Sequence, residues 1–223
     1  RFLSSTTRRL ATLLFLGRDS VDGARDNLAG ATWTPPSHAF HAQHWFELEA
    51  RMNMSLYQGR GSAALEELGL DMRRMLGSML PRVRVLRMAL ASARGRLAVQ
   101  AALATAGERR RYLALARSEL RSVRRDPYPF SIPLGYLLAA GIASCDDHPD
   151  DAVASLRVAI VSAEAAGMRL HAAAARRRLG QLLGGDEGAA LIALGDAAMH
   201  AEDIVNPARV TELFAPGFTP AGE

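Results

Sequence analysis

Apolar residues recur along this chain at intervals of three and four. Trp45, Leu48, Met52 and Leu56 form one such set, Leu86, Leu90, Ala93 and Leu97 a second, and Val153, Leu156, Ile160 and Ala163 a third. That spacing puts each set on one face of an α-helix. No comparable stretch alternates apolar and polar residues as a half-buried strand would. Between the periodic stretches stand Thr34-Pro35-Pro36-Ser37, Gly59-Arg60-Gly61-Ser62, Asp126-Pro127-Tyr128-Pro129, Asp146-Asp147-His148-Pro149, Gly184-Gly185-Asp186 and Asn206-Pro207. Glycine and proline end helices, and the adjacent Ser, Asp and Asn can cap the next one. Asn206 followed by Pro207 reads as an N-cap with proline at the first helical position.

A turn followed by an alanine that opens an apolar helix recurs five times. The turns are Leu16-Gly17-Arg18-Asp19, Tyr57-Gln58-Gly59, Ala106-Gly107-Glu108, Asp146-Asp147-His148 and Gly184-Gly185-Asp186, and the alanines are Ala24, Ala64, Ala114, Ala152 and Ala190. A small residue there lets the second helix of a hairpin approach the first closely. One hairpin cannot bury its apolar face alone, so neighbouring hairpins must stack. The expected fold is all-α: a right-handed α-solenoid of about five helical hairpins, forming a single unit over 1–223. The hairpins span roughly 1–33, 37–79, 80–125, 131–167 and 168–204, with a short C-terminal helix over 206–214.

Composition agrees with helices. Alanine supplies 41 of the 223 residues and leucine 31, both strong helix formers, while aromatics are only 6%. This disfavours an all-β sandwich and a disordered tail. The single cysteine, Cys145, excludes an internal disulfide framework and a thiolate zinc cluster, and it fits a reducing, cytoplasmic setting. The longest strongly apolar run, Gly135–Cys145, falls short of the roughly 18 residues of a membrane span. The N-terminal stretch lacks a signal-peptide cleavage pattern, and residues 2–16 read as a helix entered part-way. The chain is therefore expected to be a fragment of a longer protein.

The turn-and-alanine arrangement resembles the tetratricopeptide (TPR) class. The matching residues are Tyr57 and Gly59, Leu16 and Gly17, the following alanine, and Pro35-Pro36 after Trp33 at a junction between units. The units are longer than the roughly 34 residues of strict TPR repeats, so the resemblance is to a TPR-like array. A narrower resemblance lies towards the C-terminus, in the run Met168–Gly180, Gly184-Gly185-Asp186, Asn206-Pro207-Ala208-Arg209 and Ala215-Pro216-Gly217-Phe218. This looks like the C-terminal helical region of large bacterial serine/threonine protein kinases, myxobacterial ones in particular. The resemblance implies a regulatory or partner-binding module distal to a kinase domain, often with an ATPase-like segment between. Related repeats occur in large bacterial transcriptional activators.

Kinase chemistry needs a glycine-rich phosphate loop, a strand lysine, an HRD-type base and a DFG-type metal ligand. None is present, and all 27 basic residues are arginine. A Walker A loop and a Gly-x-Ser-x-Gly elbow are absent too. No catalytic residue, metal or cofactor is expected. His38, His41 and His44 could share a metal, but polar residues beside a helix start explain them as well. Asp146, Asp147, His148, Asp150 and Asp151 suggest a cation site; against that, Pro149 marks a helix start where acids favour the dipole. Cys145 reads as a small buried residue. Met52, Met54, Met72, Met75 and Met79 fill either a core or an adaptable peptide groove.

Charge is unevenly spread. Residues 72–125 hold 14 arginines and 2 acids; residues 126–223 hold 6 arginines and 13 acids. The basic stripe supplies the candidate partner-binding residues Arg73, Arg74, Arg82, Arg84, Arg87, Arg94, Arg109, Arg110, Arg111, Tyr112, Arg117 and Arg121. Such a stripe attracts an acidic protein or peptide. It would otherwise be a solvated face paired with the acidic C-terminal third. With one aromatic in the stripe, stacking of nucleic-acid bases is poorly supported. The expected function is a non-enzymatic interaction module of a bacterial signalling protein, C-terminal to a serine/threonine kinase. It would dock a peptide, or the parent chain's own kinase or ATPase domain, and not a membrane. The rival expectations are a sensor or oligomerisation arm of a transcriptional activator and a small metal-dependent enzyme.

Overall fold

The structure, a computed structural model, describes residues 2–33, 39–125 and 127–219. The expected turn at 34–37, His38 and Asp126 lie outside the described residues. Within them the chain is helical throughout, without strands. The helices are α1 (Phe2–Leu10), α2 (Thr12–Gly17), α3 (Val21–Ala29), α4 (Ala42–Tyr57), α5 (Gly61–Glu67), α6 (Gly69–Leu76) and α7 (Arg84–Ala104). Then follow α8 (Arg109–Arg124), α9 (Ser131–Cys145), α10 (Pro149–Ala165), α11 (Arg169–Leu183), α12 (Gly185–His200) and α13 (Pro207–Phe214). None of them is long and apolar enough to cross a membrane.

The periodic positions form the core. Trp45, Leu48, Met52 and Leu56 of α4 are buried, as are Leu90, Ala93 and Leu97 of α7 and Leu156 and Ala163 of α10. Helices adjacent in sequence pack as pairs, most extensively α7 with α8, α9 with α10 and α11 with α12, and α8 and α10 lead on to α9 and α11. The first two units are less regular. The first is built of three short helices with a break at Ala11, and in the second the long α4 is followed by two short helices that break around Leu68.

Five turns share one hydrogen-bond geometry. The N–H groups of Ser20, Arg60, His148, Met168 and Ile204 each donate to the carbonyl five residues earlier, at 2.8–3.1 Å. The residue before each donor has positive φ: Asp19, Gly59, Asp147, Gly167 and Asp203, at 56–71°. This is the Schellman closure, which satisfies carbonyls left over at a helix end. The next helix then starts at the following residue in four of the five, and at Pro207 after the turn at Ile204. Asn206 caps α13 as its sequence suggests, its side chain accepting the Arg209 N–H at 3.2 Å ahead of Pro207.

The repeated alanines divide. Ala24, Ala64 and Ala152 are buried at the helix contacts. Ala114 and Ala190 are exposed, contrary to the expectation. A 3-10 turn over Ala106–Glu108 changes the phase of α8, so Ala116 faces inward instead. In α12 the small residue at the contact is Gly188. A Cβ there would stand 2.4 Å from the Gly180 carbonyl oxygen of α11, so the two backbones touch. Of the methionines, Met52, Met72 and Met75 are core, Met54 is half-buried and Met79 is exposed.

Residues 17–19 meet residues 205–209. The Val205 N–H donates to the Gly17 carbonyl at 2.8 Å, and Asn206 Nδ2 donates to Asp19 at 3.0 Å. Tyr57 donates its hydroxyl to the same carboxylate at 2.7 Å, and Arg209 lies 3.5 Å from it. These bonds, Asn206 first, hold the Asp19 carboxyl below its ordinary pKa. Helix α13 thereby lies against α4 and α11.

Candidate functional site

The candidate partner-binding residues do not form one continuous stripe. Arg73, Arg94, Arg111 and Tyr112 converge on a cleft between α5–α6 and the start of α8. Two adjoining hollows of about 400 and 730 Å³ make up this cleft, sharing Leu65, Gly69, Arg73, Arg111 and Tyr112. Met72, Leu76 and Leu115 give one hollow an apolar wall, and Ser62, Glu66 and Thr105 make the other more polar.

Inside the cleft the charges are partly committed. Arg94 pairs with the buried Glu119 at 2.9 Å, and burial raises that carboxyl above its ordinary pKa more than Arg94 lowers it. Arg94 Nε is buried without a hydrogen-bond partner. Glu108 accepts from Arg111 at 2.6 Å and from the Tyr112 hydroxyl at 3.0 Å, which depresses the Glu108 pKa. Burial and the bond to Glu108 raise the Tyr112 phenol, so it stays a donor. Arg73 is exposed, and among the described residues no carboxylate pairs with it. The cleft therefore presents an exposed cation and an apolar wall, with the Tyr112 donor held by Glu108.

The remaining candidates lie elsewhere. Arg74 is 3.7 Å from Asp71. Arg82 and Arg84 are exposed near the start of α7, where Arg84 reaches the Tyr128 hydroxyl at 3.4 Å, and Arg87 reaches the Pro81 carbonyl at 3.5 Å. Arg109 and Arg117 tie α8 to the α9–α10 turn, through the Cys145 carbonyl and Asp146. Arg110 and Arg121 project from the exposed side of α8, in line with Arg117 along the helix.

The proposed metal clusters have structural explanations. The His41 N–H donates to His44 Nδ1 at 3.0 Å, an N-terminal bond of α4. Asp147 holds the left-handed turn position, and Asp150 and Asp151 sit in the first turn of α10 behind Pro149. Among the described residues no three His, Cys, Asp or Glu side chains gather as a metal site.

The sequence does not reveal a second polar site, the inner site, where residues 213–217 meet α7, α9 and α11. There the backbone of α13 and of the extended residues 215–218 is held by side chains of other helices. Arg96 of α7 donates to the Leu213 carbonyl at 2.8 Å. Arg178 of α11, only 3% exposed, donates to the Ala215 carbonyl at 2.7 Å, pairs with Glu212 and lies over the Phe218 ring at 4.9 Å. The Cys145 thiol lies 3.5 Å from the Gly217 carbonyl oxygen. Burial pushes that thiol up to about 11 and pulls Arg96 down to about 10, the latter against the pull of Glu49. His171 packs on Phe214 with ring centroids 4.3 Å apart, and burial drops its pKa to about 3. One signal was available: Arg178 follows Ala174 and Ala175 at helical spacing, a cation on a buried face.

No family model matches the chain, and neither a curated protein nor a solved structure matches it.

Proposed function

We propose that this chain is a non-catalytic, TPR-like interaction module that docks an acidic peptide segment in the α5–α6–α8 cleft. The observation that carries the reading is the convergence of Arg73, Arg111 and Tyr112 on a hollow with an apolar wall. A carboxylate-bearing chain would pair with Arg73 and the neighbouring Arg111 guanidinium, while an apolar neighbour fills the wall of Leu65, Met72 and Leu115. The exposed arginines of α8, Arg110 and Arg121, would steer such a partner by long-range attraction.

A right-handed solenoid of hairpins is the arrangement this reading takes. Its support is the successive pairing of α7–α8, α9–α10 and α11–α12, with α4, α7, α9 and α11 contributing to an inner face. The placement in a cytoplasmic bacterial signalling protein, C-terminal to a serine/threonine kinase, rests on the sequence resemblance. The test is titration of a fluorescent glutamate-rich peptide. Arg73→Glu/Arg111→Glu should weaken binding by about tenfold or more at low salt, with the circular dichroism unchanged. Equal affinity for the variant and the unmodified chain would remove the cleft as the docking site.

A further inference from the structure

The inner site has properties that core packing does not require. An ordinary terminal helix docks through apolar side chains. Here Leu213, Ala215 and Phe218 do the same as part of the main core, and in addition the carbonyls of residues 213, 215 and 217 are each approached by a side chain of a different helix: Arg96, Arg178 and Cys145. Residues 215–218 are buried although they are not helical. They lie so close to α9 that a Cβ on Gly141 would stand 2.4 Å from the Pro216 carbonyl oxygen. Recognition through main-chain carbonyls, plus a few side-chain pockets, is how protein grooves read extended peptides. Two side chains add specificity, and Arg178 reads both: the Glu212 carboxylate and, six residues on, the Phe218 ring.

We propose that the inner groove is a peptide-binding site, filled in this structure by the chain's own residues 211–218. When that segment leaves, the groove takes a partner peptide of the same chemistry and shape: an acid in a last helical turn, then an extended small-Pro-Gly stretch and an aromatic six residues beyond the acid. The helices that line the groove pack on one another through α7–α8, α9–α10 and α11–α12, so they have partners that do not include the segment. The segment is tethered at its start by the Asp19–Asn206 contact and ends in the exposed Thr219. This site is separate from the α5–α6–α8 cleft and stands whether or not that cleft binds anything.

Cys145, the chain's one cysteine, lies buried beneath Gly217 and reports on the segment. The experiment follows thiol labelling of the full chain under native conditions, alongside hydrogen exchange of the backbone amides. In the unmodified chain the amides of 213–218 should exchange through a local opening, faster than those in the middle of α7, α9 and α11. Gly217→Val places a Cβ 2.3 Å from Val99 at a φ of +102°, which expels the segment. This variant should label at Cys145 about tenfold faster or more while keeping its helical circular dichroism. A synthetic peptide of residues 207–219 should restore protection. Peptides carrying Glu212→Gln or Phe218→Ala should do so at about fivefold higher concentration or more. The proposal is overturned if the 213–218 amides exchange only with global unfolding, which reads out even if the variant fails to fold. It is also overturned if the peptide gives a folded variant no protection. Protection that appears with rising chain concentration and a dimeric mass would make a second copy the occupant, and would overturn a partner peptide.

Discussion

Arg178→Met tests how much the inner site contributes to stability. Methionine keeps most of the volume and removes the charge and the donors. The Ala215 carbonyl, fully buried, loses its bond from Arg178, a loss of about 1–3 kcal/mol for an unsatisfied buried group. The stacked Phe218 ring, also buried, loses a cation contact of about 1–2 kcal/mol. Breaking a fully buried ion pair costs about 3–5 kcal/mol, but the Glu212 side chain is 34% exposed and water can reach it, so that loss is held to about 1 kcal/mol. Opposing these, the folded chain no longer carries a desolvated guanidinium. The expected net destabilisation is about 2–4 kcal/mol, or roughly 4–16 °C in the melting temperature of a chain this size. Urea denaturation followed by far-ultraviolet circular dichroism measures it. Glu212→Gln, which keeps a hydrogen-bond acceptor, should cost about 1 kcal/mol or less. A change under about 0.5 kcal/mol for Arg178→Met would refute the assignment of a structural grip to this arginine.

Three further outcomes follow from the geometry. Gly188→Leu forces α12 away from α11, where the backbones touch, and should cost about 2–4 kcal/mol in the same denaturation assay, against less than about 1 kcal/mol for Ala190→Leu on the exposed side. His171 has a folded-state pKa depressed from 6.5 to about 3, so the unfolded chain takes up a proton that the folded chain refuses. Its contribution is complete above pH 6.5 and is lost as pH falls towards 3, at up to about 1.4 kcal/mol per pH unit. His171→Leu should flatten the stability profile between about pH 6.5 and 5, before most carboxylates titrate, and an unchanged slope there would count against a buried neutral imidazole. Asp147→Gly relieves a positive φ at an exposed turn and should stabilise by about 0.5–1 kcal/mol in thermal melts.

The candidate sites divide along the same line as the fold. Arg73, Arg111 and Tyr112 were visible in the sequence as members of a basic stretch, because charge density needs no coordinates. Their convergence was not, since it depends on α6 folding back beside the start of α8, two elements separated by the whole of α7. The other candidates are dispersed by the same geometry: Arg109 and Arg117 face the α9–α10 turn, while Arg82 and Arg84 lie near the opposite end of α8. The inner site was hidden for a different reason. Residues 215–218 carry no periodic pattern, and only packing makes an irregular Ala-Pro-Gly-Phe stretch part of the interior.

What the sequence determined by itself was local. Apolar spacing produces the faces of α4, α7 and α10, because an amphipathic helix buries its stripe whatever it packs against. Asn206-Pro207 starts α13 through bonds within one turn. Left-handed residues at Asp19, Gly59, Asp147, Gly167 and Asp203 close helices with hydrogen bonds spanning six residues. Tertiary structure decided the long-range choices. Alanine recurrence placed Ala24, Ala64 and Ala152 correctly but not Ala114 or Ala190, because helix phase depends on the preceding turn. The meeting of Asp19 with Asn206, and the filling of the inner groove by residues 211–218, are contacts between distant segments. Their loop-closure entropy is offset only when the intervening helices have already stacked.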